Sequence, residues 1–228
     1  MNSEVKFQVA IDGPAASGKS TLAKLLAARI GGYYINTGDM YRAATWYALQ
    51  QGIDPAVQPD ETAALLEKCD ISYRLVDGKP VLFLNDAPVD AAAIRSPEVA
   101  GRVSHTARIP AVRDWMLERQ RGCRELGIVI MEGRDIGTVI FPDAKFKFFV
   151  TASPEERARR RLAQPGEVPP GATLESVARD IAERDRIDST RAVAPLKPAA
   201  DALQLSSDGF TAVEMADRLT AIIKEGLA

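Results

Sequence analysis

The sequence predicts an α/β fold in which helices cover both faces of a parallel sheet. Apolar stretches typical of strands recur along the chain and alternate with stretches of helical periodicity. The connections between successive strands are long enough for the right-handed crossovers that parallel strands require. With 228 residues, of which 46% are hydrophobic and 26% charged, the chain can bury one sizeable core and still carry a small inserted lobe.

The first strand, loop and helix lie between residues 7 and 30. Apolar side chains alternate over residues 7–11 and recur at helical spacing over residues 22–30. The loop between them, residues 13–21 with the sequence GPAASGKST, matches the pattern G-x-x-x-x-G-K-[ST]. Backbone N–H groups that surround a concavity at the positive end of a helix bind polyphosphate. An ordinary glycine-rich turn before a surface helix is the alternative interpretation, and the flanking strand and helix argue against it.

Two side chains of this phosphate-binding loop have roles that follow from the motif. Lys19 is expected to reach the β and γ phosphates, and the Ser20 hydroxyl is expected to bind Mg²⁺. The candidate triphosphate-binding residues are Gly13, Pro14, Ala15, Ala16, Ser17, Gly18, Lys19, Ser20 and Thr21.

A second strand and helix follow the first helix. Residues 33–35 form a short strand, Thr37 is placed as an N-cap, and a helix continues through residues 43–49. Arg42 lies about one turn inside this helix. It faces the phosphate-binding loop or pairs with Asp39 at i,i+3 spacing, and the residues alone favour neither arrangement.

The segment from residue 60 to residue 90 departs from the alternating pattern. Residues 60–70 favour a helix, whereas residues 71–90 favour a small antiparallel lobe. The dipeptide Asp77-Gly78 is a hairpin signal, and the apolar residues 81–84 supply the second strand. A plain hairpin at the edge of the main sheet is the alternative.

The second half of the chain returns to alternating helices and strands. Helices are predicted from Ser96, from Pro110 to Arg121, from Ser153, over about 174–186 and over 212–226, and strands over 127–131, 145–150 and 202–205. The run at 127–131 is continuously apolar, as in a buried parallel strand, and leads into the sequence EGRDIG. Because open α/β sheets bind ligands at the carboxyl ends of their strands, Arg134 and Asp135 are candidate site residues.

Residues 153–191 carry many arginines on two predicted helices, which a loop rich in proline and glycine separates at 164–171. A charge run usually forms a solvated helix face, and we keep that interpretation for Arg159 and Arg179. An arginine-bearing segment between two helices is also what a lid over bound phosphates needs.

Composition excludes several classes of protein. The net charge of −2 argues against a dedicated nucleic-acid binder. The two cysteines, Cys69 and Cys123, give no disulfide framework and no metal-ligand spacing, so we expect reduced thiols in the cytoplasm. The single histidine, His105, excludes a histidine-rich metal site. The first residues lack the apolar segment of a signal peptide and no apolar run is long enough for a membrane span, so we expect no membrane partner.

Taken together, these residues resemble one family, the bacterial cytidylate kinases, which are nucleoside monophosphate kinases. The resemblance covers essentially the whole chain: the phosphate-binding loop, residues 37–42, the inserted lobe, the sequence GRDIGT at 133–138, and matching residues within 184–196. It implies a three-layer α/β/α P-loop kinase core with a parallel five-stranded sheet, a small inserted antiparallel β lobe for the nucleoside monophosphate, and a short helical lid.

The resemblance also implies one domain, residues 1–228, with three functional parts. They are a P-loop core of residues 5–38, 101–152 and 200–228, a monophosphate-binding lobe of residues 39–100 with a β insert at 71–90, and a lid of residues 153–190. The implied activity is ATP-dependent phosphorylation of CMP and dCMP to CDP and dCDP in pyrimidine nucleotide metabolism. Mg²⁺ is the implied cofactor and a monomer the implied assembly, with small-molecule substrates and no nucleic-acid partner.

Site residues follow from the matching positions. ATP is expected to bind the phosphate-binding loop and Arg157. The acceptor is expected to bind Thr37, Arg42, Ser104, Arg113, Arg134, Asp135, Arg184, Asp188 and Arg191. Among these, Arg42 and Arg134 are implied to hold the acceptor phosphate. The cytosine is implied to lie among Thr37, Arg113, Asp135 and Arg191, and the sugar near Ser104, Arg184 and Asp188. The implied catalytic residues are Lys19, Arg134, Arg157 and Arg161.

Three residues depart from the family pattern. Asn36 and Asp39 stand where an acid and a small residue are usual, and Glu132 replaces a shorter acid. An Asp39–Arg42 pair would weaken the binding of phosphate by Arg42.

Three alternative functions stay open: a P-loop kinase for another small acceptor, a nucleotide-dependent switch, and an RNA-binding module. The chain lacks the N-K-x-D sequence of guanine-reading switches, and its negative charge disfavours RNA.

Overall fold

A computed structural model of the protein describes residues 6–164 and 167–227 and contains two sheets. The strands are β1 (Gln8–Asp12), β2 (Tyr33–Asn36), β3 (Ile71–Val76), β4 (Lys79–Leu84), β5 (Ala87–Pro88), β6 (Val129–Gly133), β7 (Phe146–Thr151) and β8 (Leu203–Ser206). The α-helices are α1 (Lys19–Ile30), α2 (Thr37–Gln50), α3 (Pro59–Leu66), α4 (Pro97–Arg108), α5 (Pro110–Gly122), α6 (Pro154–Leu162), α7 (Leu174–Thr190) and α8 (Ala212–Leu227).

The main sheet has five strands in the order β2-β6-β1-β7-β8, and every pairing is parallel. Its central strands β1 and β6 are buried almost throughout, which is why residues 9–11 and 129–131 are all apolar. One face packs against α1 and α8 through side chains such as Leu26 and Leu219. The opposite face includes Ile35 and Met131 in a second buried cluster. The predicted α/β fold with a parallel five-stranded sheet is confirmed.

The inserted lobe is a separate antiparallel sheet of β3, β4 and β5. The turn at Asp77 and Gly78 joins β3 to β4, and both residues have positive φ, as a tight hairpin turn requires. Since β3–β5 form their own sheet, the alternative of an edge hairpin of the main sheet is wrong. Ile71 and Leu84 pack with α2, α4 and α5, so the lobe has an apolar cluster of its own.

Three predicted helix ends differ from the structure. Helix α3 ends at Leu66, four residues before its predicted end. Asn36 caps α2 by accepting a hydrogen bond from the N–H of Asp39, so Thr37 is the first helical residue and not the cap. The Thr37 hydroxyl instead donates to the carbonyl of Glu132 at 2.8 Å, because the helix starts directly at the sheet edge. Helix α7 continues to Thr190, four residues past its predicted end.

The predicted loop at 164–171 contains residues 165 and 166, which lie outside the described residues. Within the described ranges, 6–164 and 167–227, no helix has the length and apolar character to cross a bilayer.

Candidate functional site

The phosphate-binding loop joins β1 to α1 and leaves the first turn of α1 open. Gly13 needs to be glycine because a Cβ there would lie 2.0 Å from the carbonyl oxygen of Val150. Gly18 has φ of 88° and stands at the N-cap position, where no side chain occupies the free N–H groups of the helix. Those N–H groups and the positive end of the helix dipole are suited to bind an anion.

Lys19 folds back over this loop. Its Nζ donates to the carbonyl of Pro14 at 2.6 Å and to the hydroxyl of Ser17 at 3.2 Å. Burial lowers the pKa of Lys19 to about 7, and the positive charge of Arg134 acts in the same direction. Lys19 therefore loses its proton more easily than a solvated lysine does, and a bound phosphate would raise its pKa again.

Asp12 connects the phosphate-binding loop to the turn that carries Arg134 and Asp135. Its two carboxylate oxygens accept hydrogen bonds from the N–H groups of Ile136 and Gly137, each at 2.8 Å. Burial raises the pKa of this carboxyl to about 7, although both N–H groups act to lower it. A single buried side chain at the end of β1 thus fixes the turn that follows β6.

Asp135 lies at the centre of a buried cluster of opposite charges. The Arg113 guanidinium donates to one of its carboxylate oxygens, and the Arg191 guanidinium donates to the other at 3.3 Å. Next to it, Arg134 Nε donates to Asp188 at 2.9 Å. Burial opposes ionisation of Asp188, but Arg134 and the neighbouring arginines outweigh it and lower its pKa. Three segments distant in sequence, around residues 113, 134–135 and 188–191, therefore meet here.

A cleft of about 350 Å³ joins the phosphate-binding loop to several arginines of α2, α6, α7 and the turn after β6. Lys19 and Ser20 line it on the loop side, and Arg42, Arg134, Arg161 and Arg184 line the other side. Burial lowers the pKa of Arg42 to about 10 and those of Arg161 and Arg184 to about 9, and the positive charges of neighbouring arginines add to this effect. The cleft is therefore built to receive anions.

Ser104 lies outside this cleft. It lines an adjacent cavity of about 390 Å³ together with Arg161 and Arg184.

Arg157 does not line the cleft. Its guanidinium pairs with Asp185 and donates to the carbonyl of Ala15 at 3.3 Å, while Asp185 accepts the N–H of Ala15 at 3.1 Å. Arg157 thus supports the phosphate-binding loop from behind, and its expected contact with ATP stays a prediction.

Arg42 does not pair with Asp39. Asp39 accepts two hydrogen bonds from Arg95, both at 2.8 Å, whereas Arg42 Nη2 donates to Glu167 at 3.1 Å. The possible Asp39–Arg42 pair at i,i+3 spacing is therefore wrong, because Arg95 from a distant turn takes the carboxylate.

Sequence reasoning missed Arg95, Arg160 and Glu167. Arg160 bonds the hydroxyl of Ser207 at 2.8 Å and lies over Gly18. Its spacing from Arg157 places both on one helix face, a signal that was available in the sequence. Arg95 and Glu167 reach the cleft only because the chain folds, and no local sequence pattern identifies them as site residues.

The residues present fit a magnesium ion held mainly by phosphates. The Ser20 hydroxyl lies at the start of α1, and Glu132 lines the same cleft. Tyr34 donates to the Glu132 carboxylate at 2.6 Å and so fixes its position. Mg²⁺ typically keeps several waters and few protein ligands, so one hydroxyl with a nearby carboxylate suits it. In the described part of the chain no group of three or more histidine, cysteine or acidic residues forms a separate metal site.

Comparison with known proteins identifies the family. The family model described as cytidylate kinase matches residues 9–225, nearly the whole chain. The chain belongs to the cytidylate kinase family. A cytidylate kinase of Limosilactobacillus fermentum is 46% identical over 222 residues, covering 97% of each chain. The cytidylate kinase of Bacillus subtilis is 40% identical over 222 residues, covering 97% of this chain and 98% of that protein.

Some cytidylate kinase relatives are longer. A bifunctional pantoate ligase/cytidylate kinase of Synechococcus sp. strain WH7803 is 46% identical over 221 residues, covering 95% of this chain but 44% of that protein. The chain therefore spans less than half of that relative. Among solved structures, a shikimate kinase from Bacteroides thetaiotaomicron has a TM-score of 0.50 at 13% identity, covering 96% of this chain and 99% of that one. This likeness shows the fold alone.

Proposed function

We propose that this member of the family transfers the γ-phosphoryl group of ATP to the 5′-phosphate of CMP or dCMP, forming ADP and CDP or dCDP. One observation carries the proposal. The phosphate-binding loop and the Arg134–Asp135 turn follow adjacent parallel strands, β1 and β6, and Asp12 ties them together. A triphosphate donor and a nucleotide acceptor bound at these two places would meet in one cleft lined with arginines.

The reaction needs no general base. A phosphate monoester has a second pKa near ~6, so its oxygen is already mostly anionic at neutral pH and can attack directly. The protein has to align two polyanions and neutralise the charge that moves during transfer. In this proposal Lys19, Arg134 and Arg161 supply positive charge, and Arg42 with Arg134 holds the acceptor phosphate. Mg²⁺ bound near Ser20 would screen the donor phosphates.

Asp135 supports a preference for cytosine. The exocyclic amine of cytosine donates hydrogen bonds, which a carboxylate accepts, whereas uracil presents a carbonyl oxygen at that position. An unpaired buried acceptor costs ~1–3 kcal/mol, or about ten- to hundredfold in affinity. Arg113 and Arg191 hold the Asp135 carboxylate in place, where it could accept a hydrogen bond from the base. Thr37 would border the base, and Ser104, Arg184 and Asp188 would lie near the sugar.

The division into core, monophosphate-binding lobe and lid, the monomeric state, the pyrimidine pathway and the cytoplasmic location belong to the same proposal. The separate β3–β5 sheet and the packing of α6 against α7 support the division. Gel filtration and cell fractionation would test the assembly and the location.

The decisive experiment is an ADP-release assay with a panel of acceptors. Purified protein with MgATP should release ADP rapidly with CMP and dCMP, about tenfold or more slowly with UMP at limiting concentration, and at background rates with AMP and shikimate. Chelation of Mg²⁺ with EDTA should abolish the reaction. Absence of CDP when CMP is the acceptor would overturn the proposed function and leave only the family and the fold.

A further inference from the structure

Glu167 places a carboxylate inside the cleft where anions are expected. Its side chain is 10% exposed and contacts arginines from three separate segments. Arg42 Nη2 from α2 lies at 3.1 Å, Arg95 Nε from the turn before α4 lies at 3.8 Å, and Arg161 at the end of α6 forms a direct ion pair with it. Such a convergence of guanidinium groups on one carboxylate is the geometry used to bind a phosphate.

The chain positions Glu167 by packing as well as by charge. The adjacent Val168 packs against a small apolar cluster that includes Ala15, Ala158 and Val177. This cluster joins α6, α7 and the phosphate-binding loop, so the backbone next to Glu167 is attached to the site.

The positive charges around Glu167 exceed the negative charges that balance them. Asp39 pairs with Arg95. Within the described residues, Glu167 is the carboxylate that pairs with Arg42 and with Arg161. Arg184 lines the same cleft, and its Nε is buried without a hydrogen-bond partner in the described part of the chain. A dianionic phosphate would therefore find more guanidinium groups here than one carboxylate can satisfy.

We propose that Glu167 is an internal competitor of the acceptor phosphate. The inference rests on the proposed function, in which Arg42 binds the phosphate of CMP. Glu167 occupies Arg42 and Arg161, so the incoming phosphate has to displace the carboxylate before it can bind both arginines. A dianionic phosphate can do so, whereas a nucleoside without phosphate cannot. Glu167 thus lowers the affinity for the acceptor and keeps the arginines paired until a phosphate replaces it.

The test removes the negative charge of the Glu167 side chain and keeps the shape of that side chain. In Glu167→Gln the KM for CMP should fall about three- to tenfold, because the competing ion pairs are lost, while kcat changes less. Calorimetry without ATP should show tighter binding of CMP and of inorganic phosphate to the same variant. Cytidine, which lacks the phosphate, should bind the variant and the parent protein equally.

Glu175→Gln is the matched control, since it removes the same charge from an exposed position in the first turn of α7. It should keep the parent values of KM and of phosphate affinity. Glu167→Ala serves as a second variant, and it should act in the same direction as Glu167→Gln.

Two results would overturn the inference. A higher KM for CMP or a large loss of kcat in Glu167→Gln would mean that Glu167 orients the arginines in the productive complex. Unchanged affinities for CMP and phosphate would mean that no competition exists. If the parent protein binds no CMP and forms no CDP, the proposed function fails, and the phosphate titration still decides whether Glu167 competes with an anion.

Discussion

Among single residues, Lys19 leads to the clearest prediction, which concerns proton uptake when MgATP binds. Burial lowers its pKa to about 7, whereas an unfolded or solvated lysine has a pKa near 10.5. At pH 8 the amine of the free protein is therefore mostly neutral. A bound triphosphate places negative charge beside Nζ and raises the pKa, so binding of MgATP at pH 8 should take up close to one proton from solution. Calorimetry in two buffers with different ionisation enthalpies measures this uptake.

The control for this residue is Lys19→Arg. Arginine stays charged at pH 8 even in buried sites, so the variant should bind MgATP with little proton uptake. Equal binding enthalpies in the two buffers for the parent protein would contradict the shifted pKa of Lys19.

At the scale of elements, Asp12 holds the turn after β6 against the end of β1. In Asp12→Asn one of the two N–H groups, of Ile136 or Gly137, faces an amide NH₂ and loses its acceptor. An unpaired buried N–H costs about 1–3 kcal/mol. The substitution also removes a buried charge whose pKa is raised to about 7, so the two effects on the free energy of unfolding oppose each other. The turn carries Arg134 and Asp135, so the KM for CMP should rise more than the KM for ATP. Urea unfolding and steady-state kinetics measure the two effects.

Asp114→Asn is the comparison for this variant, because Asp114 is exposed on α5. It should leave the urea midpoint and both KM values unchanged. If Asp12→Asn behaves like Asp114→Asn, Asp12 has no positioning role.

The elements themselves could largely be predicted from local signals. Helices α4 and α6 begin where Ser96 and Ser153 cap a helix that has proline in its first turn, as predicted. The boundary at Asn36 was missed because both Asn36 and Thr37 carry side chains suited to capping, and the Thr37 hydroxyl is taken by the carbonyl of Glu132. The π-helical turn Ile136–Ile140 was also missed, since the side chain that anchors it, Asp12, is more than a hundred residues away.

For the whole molecule, the sequence predicts which segments form the site but not how their charges pair. Lys19 and Asp135 belong to contiguous motifs, so their positions could be predicted. Arg42 takes Glu167 as its partner in place of the nearby Asp39, because folding brings the segment after α6 next to α2. Pairing of buried charges depends on the tertiary structure, and local spacing says little about it.

The distribution of charge over the molecule leads to a last prediction. The chain has a net charge of −2, yet Arg134, Arg161 and Arg184 concentrate positive charge in one cleft. A positive cleft attracts anionic substrates over distances comparable to the Debye length, which falls from roughly 14 Å to roughly 4 Å between about 0.05 M and about 0.5 M KCl. The value of kcat/KM for CMP should therefore fall several-fold over this range.

At saturating substrate the bound phosphates are already shielded from the salt, so kcat should change much less than KM. Circular dichroism over the same KCl series provides the control, since the fold should be unaffected. A kcat/KM that is independent of KCl would mean that the arginines of the cleft are neutralised by their carboxylate partners before substrate arrives. In that case the cleft would hold its substrates by shape and direct hydrogen bonds, with no long-range attraction.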